Sequence, residues 1–467
     1  MVTFTKKVTK NGTRICVYHF FLVPLRPILI CGNRHVNIGD IQTLFAQHPE
    51  IALAKKELTK GKDIHLLLSG LYASTRALTL SALKDTAPLF IILDNTESAQ
   101  YLYADLKTIL PDNSSAPEIL WFPAAQKRRA VDEAAQIQRT ETLTALSKGN
   151  GQFVITYPEA VSETVPAKET LTKNSFTLCV GQEIQLSQLN NQLSELNFTH
   201  VDFVFEPGQY AIRGGIVDIY SYSHDNPYRI DFFGDEIDSI REFDIEDQLS
   251  KAKIETAEIV AANSSEPTQA SVLDYLPQKC IWVSNDFAVV KYKLPTLLGE
   301  EKWGEKLTTI ELAEKSYFPA HSKITFDTTP QPVFRKQFDI LTEDIRKHLD
   351  EGYKIYILAD QKKQLDRLQA IFEAQTDDQI VFQPVQGILH EGFIDHSLKS
   401  VVIPTIKSSN VTIVSQWHRK APEEEKRLSP FGKSTNSKSE IMWFIPIMVS
   451  LSLEDWSQRL STDGNRR

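Results

Sequence analysis

The sequence predicts an α/β protein: a parallel α/β domain with a small inserted α+β module and an antiparallel meander, then a second small α/β domain and a disordered or non-native tail. Three observations predict it. Between 64 and 157, short apolar runs alternate with helical repeats, the pattern of a parallel sheet. Between Glu206 and Asp244, β-rich runs are separated by two turn signals, which is a meander. From Gln337 onwards, helices and strands alternate again.

The elements follow in order. Asp40 caps a helix over 41–58, with a break at Pro49. Ile64–Leu68 is a short, continuously apolar strand. Gly70–Ala77 is a turn, and a helix follows to about Leu83. Leu89–Leu93 is a strand, and Asn95–Leu110 is an amphipathic helix capped by Asn95 or Thr96. Ile119–Phe122 is the third strand, and Gly149 and Gly151 end a helix over Asp132–Leu146. Phe153–Tyr157 and Ser175–Val180 are strands, and Leu186–Leu196 is a helix with leucines at helical spacing. Val201–Phe205 leads into the meander. Its three runs are divided by His224-Asp225-Asn226-Pro227 and by Gly234-Asp235. The Gly214-Gly215 pair in the first run marks a bulge or a close backbone approach. Ile254–Ala261 and Cys280–Val283 add strands. The last unit has helix Leu341–Leu349 ended by Gly352, strand Lys354–Leu358, helix Gln361–Ala374 and strand Ile380–Pro384.

The 467 residues are 42% hydrophobic and 24% charged, as in an ordinary globular protein, and leave room for several domains. Cys16, Cys31, Cys179 and Cys280 are far apart, which suits reduced thiols in a cytoplasmic protein. No run approaches a membrane span, and no membrane partner is expected. The net charge of −9 divides unevenly: +6 over residues 1–35, −18 over 36–400 and +3 over 401–467. An acidic body repels phosphate, so protein partners suit it better than DNA.

Residues 67–77, LLSGLYASTRA, lie between a strand and a helix, where a phosphate-binding loop belongs. Such a loop needs glycines whose amides wrap the phosphates, then a lysine and a hydroxyl for Mg²⁺. Gly70 is in place. Ala73 and Thr75 stand where glycines are wanted, Arg76 where the lysine is, and Ala77 where the hydroxyl is. This reads as a strand-to-helix turn that keeps an ancestral shape; the alternative is weak anion binding through Ser74 and Arg76. Lys127-Arg128-Arg129, with Arg139 in the same segment, is a solvated basic face or a contact for phosphate or acidic protein. Asp231, Asp235, Glu236 and Asp238 read as a solvated strand edge rather than a metal site. His19, His35, His48 and His65 show no metal-ligand spacing, and no catalytic residue is assigned.

The segment EPGQYAIRGGIVDIYSYSHDNPYRIDFFGDEIDSIREFD, Glu206–Asp244, closely resembles one shared by the excision-repair protein UvrB and the bacterial transcription-repair coupling factors. Leu67–Leu83, Ile119–Pro123 and Gly387–Ile394 resemble further pieces of the same family, in order, over about 36–400. UvrB keeps an intact Walker lysine, whereas the coupling factors carry a degenerate loop in a UvrB-like N-terminal part. Arg76 and Ala77 therefore favour the coupling factors.

The resemblance implies a basic leader (1–35), a UvrB-like domain in two parts (36–149 and 206–325) and an inserted module that docks UvrA (150–205). A small α/β domain (326–400) and a tail (401–467) follow. It implies a scaffold that recruits UvrA, while RNA polymerase, DNA and ATP belong to later parts of the family. No cofactor is expected for this chain. The competing expectation is a UvrB-like ATPase that binds damaged DNA. In UvrB-like modules arginines near the segment matching 181–196 face UvrA. Gly181-Gln182-Glu183-Ile184 agrees with the family, but Leu186, Asn190 and Asn191 stand where arginines are expected, and no contact residue within 150–205 is named.

The family continues after Gly387–Ile394 with TDHQIFERYH. One choice of codons for it, shifted by one base, reads PTIKSSNVTI, which this chain has at 404–413. A GDYVVHTDHGIG-like opening of the polymerase-binding domain, shifted alike, gives the EIMWFIPIMVS of 440–450. The expectation is a frameshift near Ser400, a non-native tail, and loss of the polymerase-binding domain and the translocase motor. Residues 1–35 carry a similar expectation of a misplaced start, with a functional basic arm as the alternative.

Overall fold

The computed structural model describes residues 36–404 except 62, 111–117, 128–129, 132, 262–269, 299–303, 305, 333–337 and 376–379, and the backbone of 6–8 and 14–16. The expectations for 405–467 and for most of 1–35 lie outside the described residues; residues 401–404, expected in the non-native tail, instead belong to a buried strand of the last sheet. So do the side chains of the basic cluster Lys127-Arg128-Arg129.

Strands β1 (Lys6–Val8) and β2 (Arg14–Cys16) form a small antiparallel ladder. β3 (Val36–Asn37) leads directly into α1 (Ile38–Ala46). Asn37, not Asp40, is the N-cap: its side chain accepts from the Asp40 amide, and Asp40 reaches back to the Asn37 amide. This reciprocal box satisfies two amides that a helix start leaves open. α2 (Pro49–Leu58) starts at the expected proline.

The parallel domain then builds β4 (His65–Ser69), α3 (Thr75–Ala82), β5 (Leu89–Ile92), α4 (Thr96–Ile109) and β6 (Ile119–Trp121). A short ladder of β7 (Gln126–Lys127) and β8 (Ala130–Val131) precedes α5 (Glu133–Ser147) and β9 (Phe153–Thr156). β4, β5 and β9 are buried along their whole length, which is why they read as unbroken apolar runs.

After α6 (Pro158–Ser162) and α7 (Lys168–Lys173) the chain leaves this sheet. β10 (Ser175–Cys179) and α8 (Leu186–Glu195) come first, then β11 (Thr199–His200), β12 (Gln209–Arg213), β13 (Ile216–Ile219), β14 (Tyr228–Phe233), β15 (Glu236–Phe243) and β16 (Ser250–Ile254). β17 (Thr256–Val260) returns to pair antiparallel with β10. The meander has four strands between 206 and 244 where the pattern showed three runs. Gly214-Gly215 is a two-residue hairpin turn, with Arg213 opposite Ile216 and Gly214 at φ +61°. A left-handed first turn residue is what glycine permits in such hairpins. The register shift of β14 lies elsewhere, between Asp231 and Phe232.

The expected boundary at 205/206 falls inside one apolar core. Leu189 and Leu193 of α8 pack with Val217, Ile230, Ile237 and Ile240 of the meander and Ile259 of β17. Both leucines are fully buried, and each contributes roughly 1.5–3 kcal/mol by burial. The helix and the meander therefore form one module.

β18 (Ile281–Ser284), α9 (Phe287–Lys293), α10 (Pro295–Leu298), β19 (Thr308–Leu312) and β20 (Ser322–Thr325) then complete the first sheet. Its order is β20-β4-β19-β18-β5-β9-β6, parallel throughout. β19 and β18 lie between β4 and β5, so this sheet closes only with strands that follow the module in sequence.

The last unit has β21 (Thr328–Pro330), α11 (Phe338–Asp350), β22 (Lys354–Ala359), α12 (Lys362–Gln375), β23 (Gln383–Gln386), β24 (Phe393–Asp395) and β25 (Ser400–Pro404). Its sheet runs β21-β24-β25-β22-β23-β3, so Val36 and Asn37, ahead of the parallel domain in sequence, form an edge of the last sheet. The main core continues from Leu66 and Ile91 of the parallel domain to Leu358, Leu389 and Phe393 of this unit. No described helix is long and apolar enough to cross a membrane.

Candidate functional site

The turn after β4, where the sequence pattern places a phosphate loop, uses its polar groups internally. Gly70 has φ +72°, and a Cβ there would lie 2.0 Å from the Phe326 carbonyl oxygen. Ala73, in a glycine position of the pattern, still has φ +53°, a conformation that costs an alanine about 1 kcal/mol or more. The Gly70 amide donates to Glu314 Oε1 at 3.1 Å. The Thr75 and Arg76 amides donate to the carbonyls of Tyr72 and Ala73 at 3.1 and 3.4 Å. A carboxylate thus takes the Gly70 amide, and carbonyls of the turn itself take two more.

Ser74 and Ala77 are buried, and Arg76 is half-buried. The Arg76 Nε donates to the Leu71 carbonyl at 3.3 Å. Burial lowers the Arg76 pKa, and the neighbouring charges of Asp94 and Glu391 oppose that shift. The alternative role for Ser74, anion binding, meets the same crowding: its hydroxyl accepts from the Glu391 amide at 3.1 Å and bonds Asp105.

Asp105 belongs to no sequence motif. It lies on the apolar face of α4 with Ala99, Leu102, Leu106 and Ile109. An acid at that helical position was the available clue. Its carboxylate accepts from the His390 amide at 2.7 Å. Burial pushes the carboxyl up to about 7, against the hydrogen bonds from Ser74 and the His390 amide.

Arg139 is a buried staple rather than a solvated cation. It donates to the carbonyls of Pro123 and Ala160 at 2.7 and 3.2 Å, pairs with Glu163 at 3.2 Å and stacks over Phe122 at 4.1 Å. Burial lowers its pKa to about 10.

The module presents different surfaces. Residues 181–184 line up along the start of β15: the Gly181 amide donates to the Ile237 carbonyl at 2.8 Å and the Ile184 amide to the Asp235 carbonyl at 2.8 Å. Of the positions where the resemblance leads one to expect arginines, Leu186 is half-buried against the module core. Asn190 accepts from the Tyr210 hydroxyl at 2.7 Å, and Asn191 is exposed. The outward face of α8 is therefore polar and carries no cation: Ser187, Gln188, Asn191 and Glu195.

On the meander face away from α8, buried Asp218 accepts from Arg229 at 2.8 and 2.9 Å and from Arg213. Asp231 pairs with Arg241 and accepts from the Ser239 hydroxyl at 2.8 Å. Asp235, Glu236 and Asp238 are exposed. Among the described residues, no group of three or more His, Cys, Asp or Glu is placed to hold a metal. Cys179 and Cys280 are free thiols. Phe203, Phe205 and Phe233 are exposed around the module.

Residues 176–264 match the family described as the UvrB interaction domain, which coincides with the module. The chain is 33% identical over 219 residues to the transcription-repair-coupling factor of Bacillus subtilis (strain 168), covering 46% of this chain and 18% of that protein. It is 22% identical over 444 residues to that of Staphylococcus aureus (strain bovine RF122 / ET3-1), covering 72% and 37%. It thus spans well under half the length of these relatives. The domain match and the relatives together support an N-terminal part of the coupling-factor kind.

Proposed function

We propose, from its similarity to the N-terminal part of the transcription-repair-coupling factors, that this chain is a binding scaffold in nucleotide excision repair. Its module recruits UvrA in the cytoplasm and needs no nucleotide to do so. The observation that carries this reading is the match of 176–264 to the UvrB interaction domain, on a module with an apolar core of its own. Recognition uses polar and apolar contacts, since α8 offers Ser187, Gln188 and Asn191 rather than arginines. Coupling to RNA polymerase and translocation on DNA belong to the proposal only as activities of the longer relatives.

A pull-down of the full chain on immobilised UvrA, without ATP, tests it. Association at micromolar concentration is expected, and its absence from a folded preparation sinks the reading. The competing ATPase reading fits the turn poorly, because Arg76 replaces the lysine and Glu314 occupies the Gly70 amide. DNA-stimulated ATP hydrolysis by the same preparation would favour it.

A further inference from the structure

We infer that the turn Gly70–Arg76 is the socket of an intramolecular ligand, the segment Gly387–Gly392, and fastens the smaller α/β unit to the parallel domain. Two successive amides of the segment are held from across the chain. The Glu391 amide donates to Ser74 Oγ at 3.1 Å, and the His390 amide to Asp105 Oδ1 at 2.7 Å. Ser74 also bonds Asp105, so one connected network spans the turn, α4 and the segment. Such a network rewards occupancy, because an empty socket leaves buried Ser74 and Asp105 without these donors.

Shape complements the polar contacts. Leu389 is fully buried in the main core, and the His390 ring stacks flat on Tyr101. The grip continues along the chain: Phe393 meets Phe45 edge-on at 6.1 Å, and buried Asp395 lies 3.5 Å from His48, which also pairs with Glu50. Charge completes the fit. Glu391 lies near enough to Arg76 to influence its proton affinity, as does Asp94. An incoming triphosphate would meet Glu391 and Glu314 instead of free amides. The segment therefore takes the place of a phosphate ligand, and the inference does not depend on which repair partner the module binds.

Hydrogen–deuterium exchange on the full chain tests it, comparing wild type with Ser74→Ala and Tyr101→Ala. Each substitution is expected to speed exchange over 386–392 about tenfold or more, with 228–243 unchanged. Millimolar Mg–ATP added to wild type is expected to leave 69–77 unchanged. Unaltered exchange over 386–392 in both variants, or slowing over 69–77 with ATP, overturns the inference. Should Ser74→Ala unfold the whole chain, Tyr101→Ala decides alone, since it removes the stacked ring and one exposed hydrogen bond to Glu97 but leaves the Ser74–Asp105 network in place.

Discussion

Replacing Asp105 by Asn tests the balance of forces beneath the turn. Asn keeps an oxygen for the His390 amide and offers an N–H to Ser74, but it does not titrate. In wild type, burial raises the carboxyl from 3.8 to about 7. Between those values the folded chain binds more protons than the unfolded one, so stability falls as pH rises through this window. A shift of about three units is worth about 4 kcal/mol, fully expressed above pH 7 and absent well below pH 4. The stability of Asp105→Asn minus that of wild type should therefore rise by about 3 kcal/mol between pH 4.5 and pH 8. Urea unfolding at several pH values measures it, read by pulse-labelling exchange over 89–109. Other titrating groups cancel in the difference. A difference that stays flat with pH, or falls, would refute the assignment of Asp105 as a buried charge under strain.

Two further substitutions probe the same frame. Gly70→Ala should cost more than about 2 kcal/mol, because it adds a left-handed penalty to a collision with the Phe326 carbonyl; thermal unfolding should show a clear drop. Arg139→Ala should cost about 3 kcal/mol, since it removes the cation paired with Glu163, which keeps the Ala125 amide, and the buried donor to the Pro123 and Ala160 carbonyls. Arg139→Lys should recover only part of this in urea titrations, as a single ammonium cannot reproduce the planar fork over Phe122.

Much of the fold was legible because its signals are local. β4, β5 and β9 are buried on both faces, so their sequences are unbroken apolar runs. Gly234-Asp235 is a hairpin turn because left-handed backbone favours glycine. The Gly214-Gly215 pair shows the limit. A glycine pair permits both a bulge and a turn, and only the pairing of Arg213 with Ile216 distinguishes them. Asn37 and Asp40 both suit a helix start, and the reciprocal hydrogen bonds select Asn37.

The site divides along the same line. By itself the sequence determined that the strand-to-helix turn over 67–77 has arginine at 76 and alanine at 77, where a phosphate loop needs a lysine and a hydroxyl, since those are residue identities. It also determined the kinship carried by Glu206–Asp244, now joined by the match over 176–264. Only the tertiary structure decided where the turn's polar groups point. Ser74 and Asp105 meet the amides of 390 and 391 across more than 280 residues of chain, and Arg139 reaches two carbonyls on other elements. No local periodicity encodes such contacts, because they arise when buried groups must find partners wherever the packed chain supplies them.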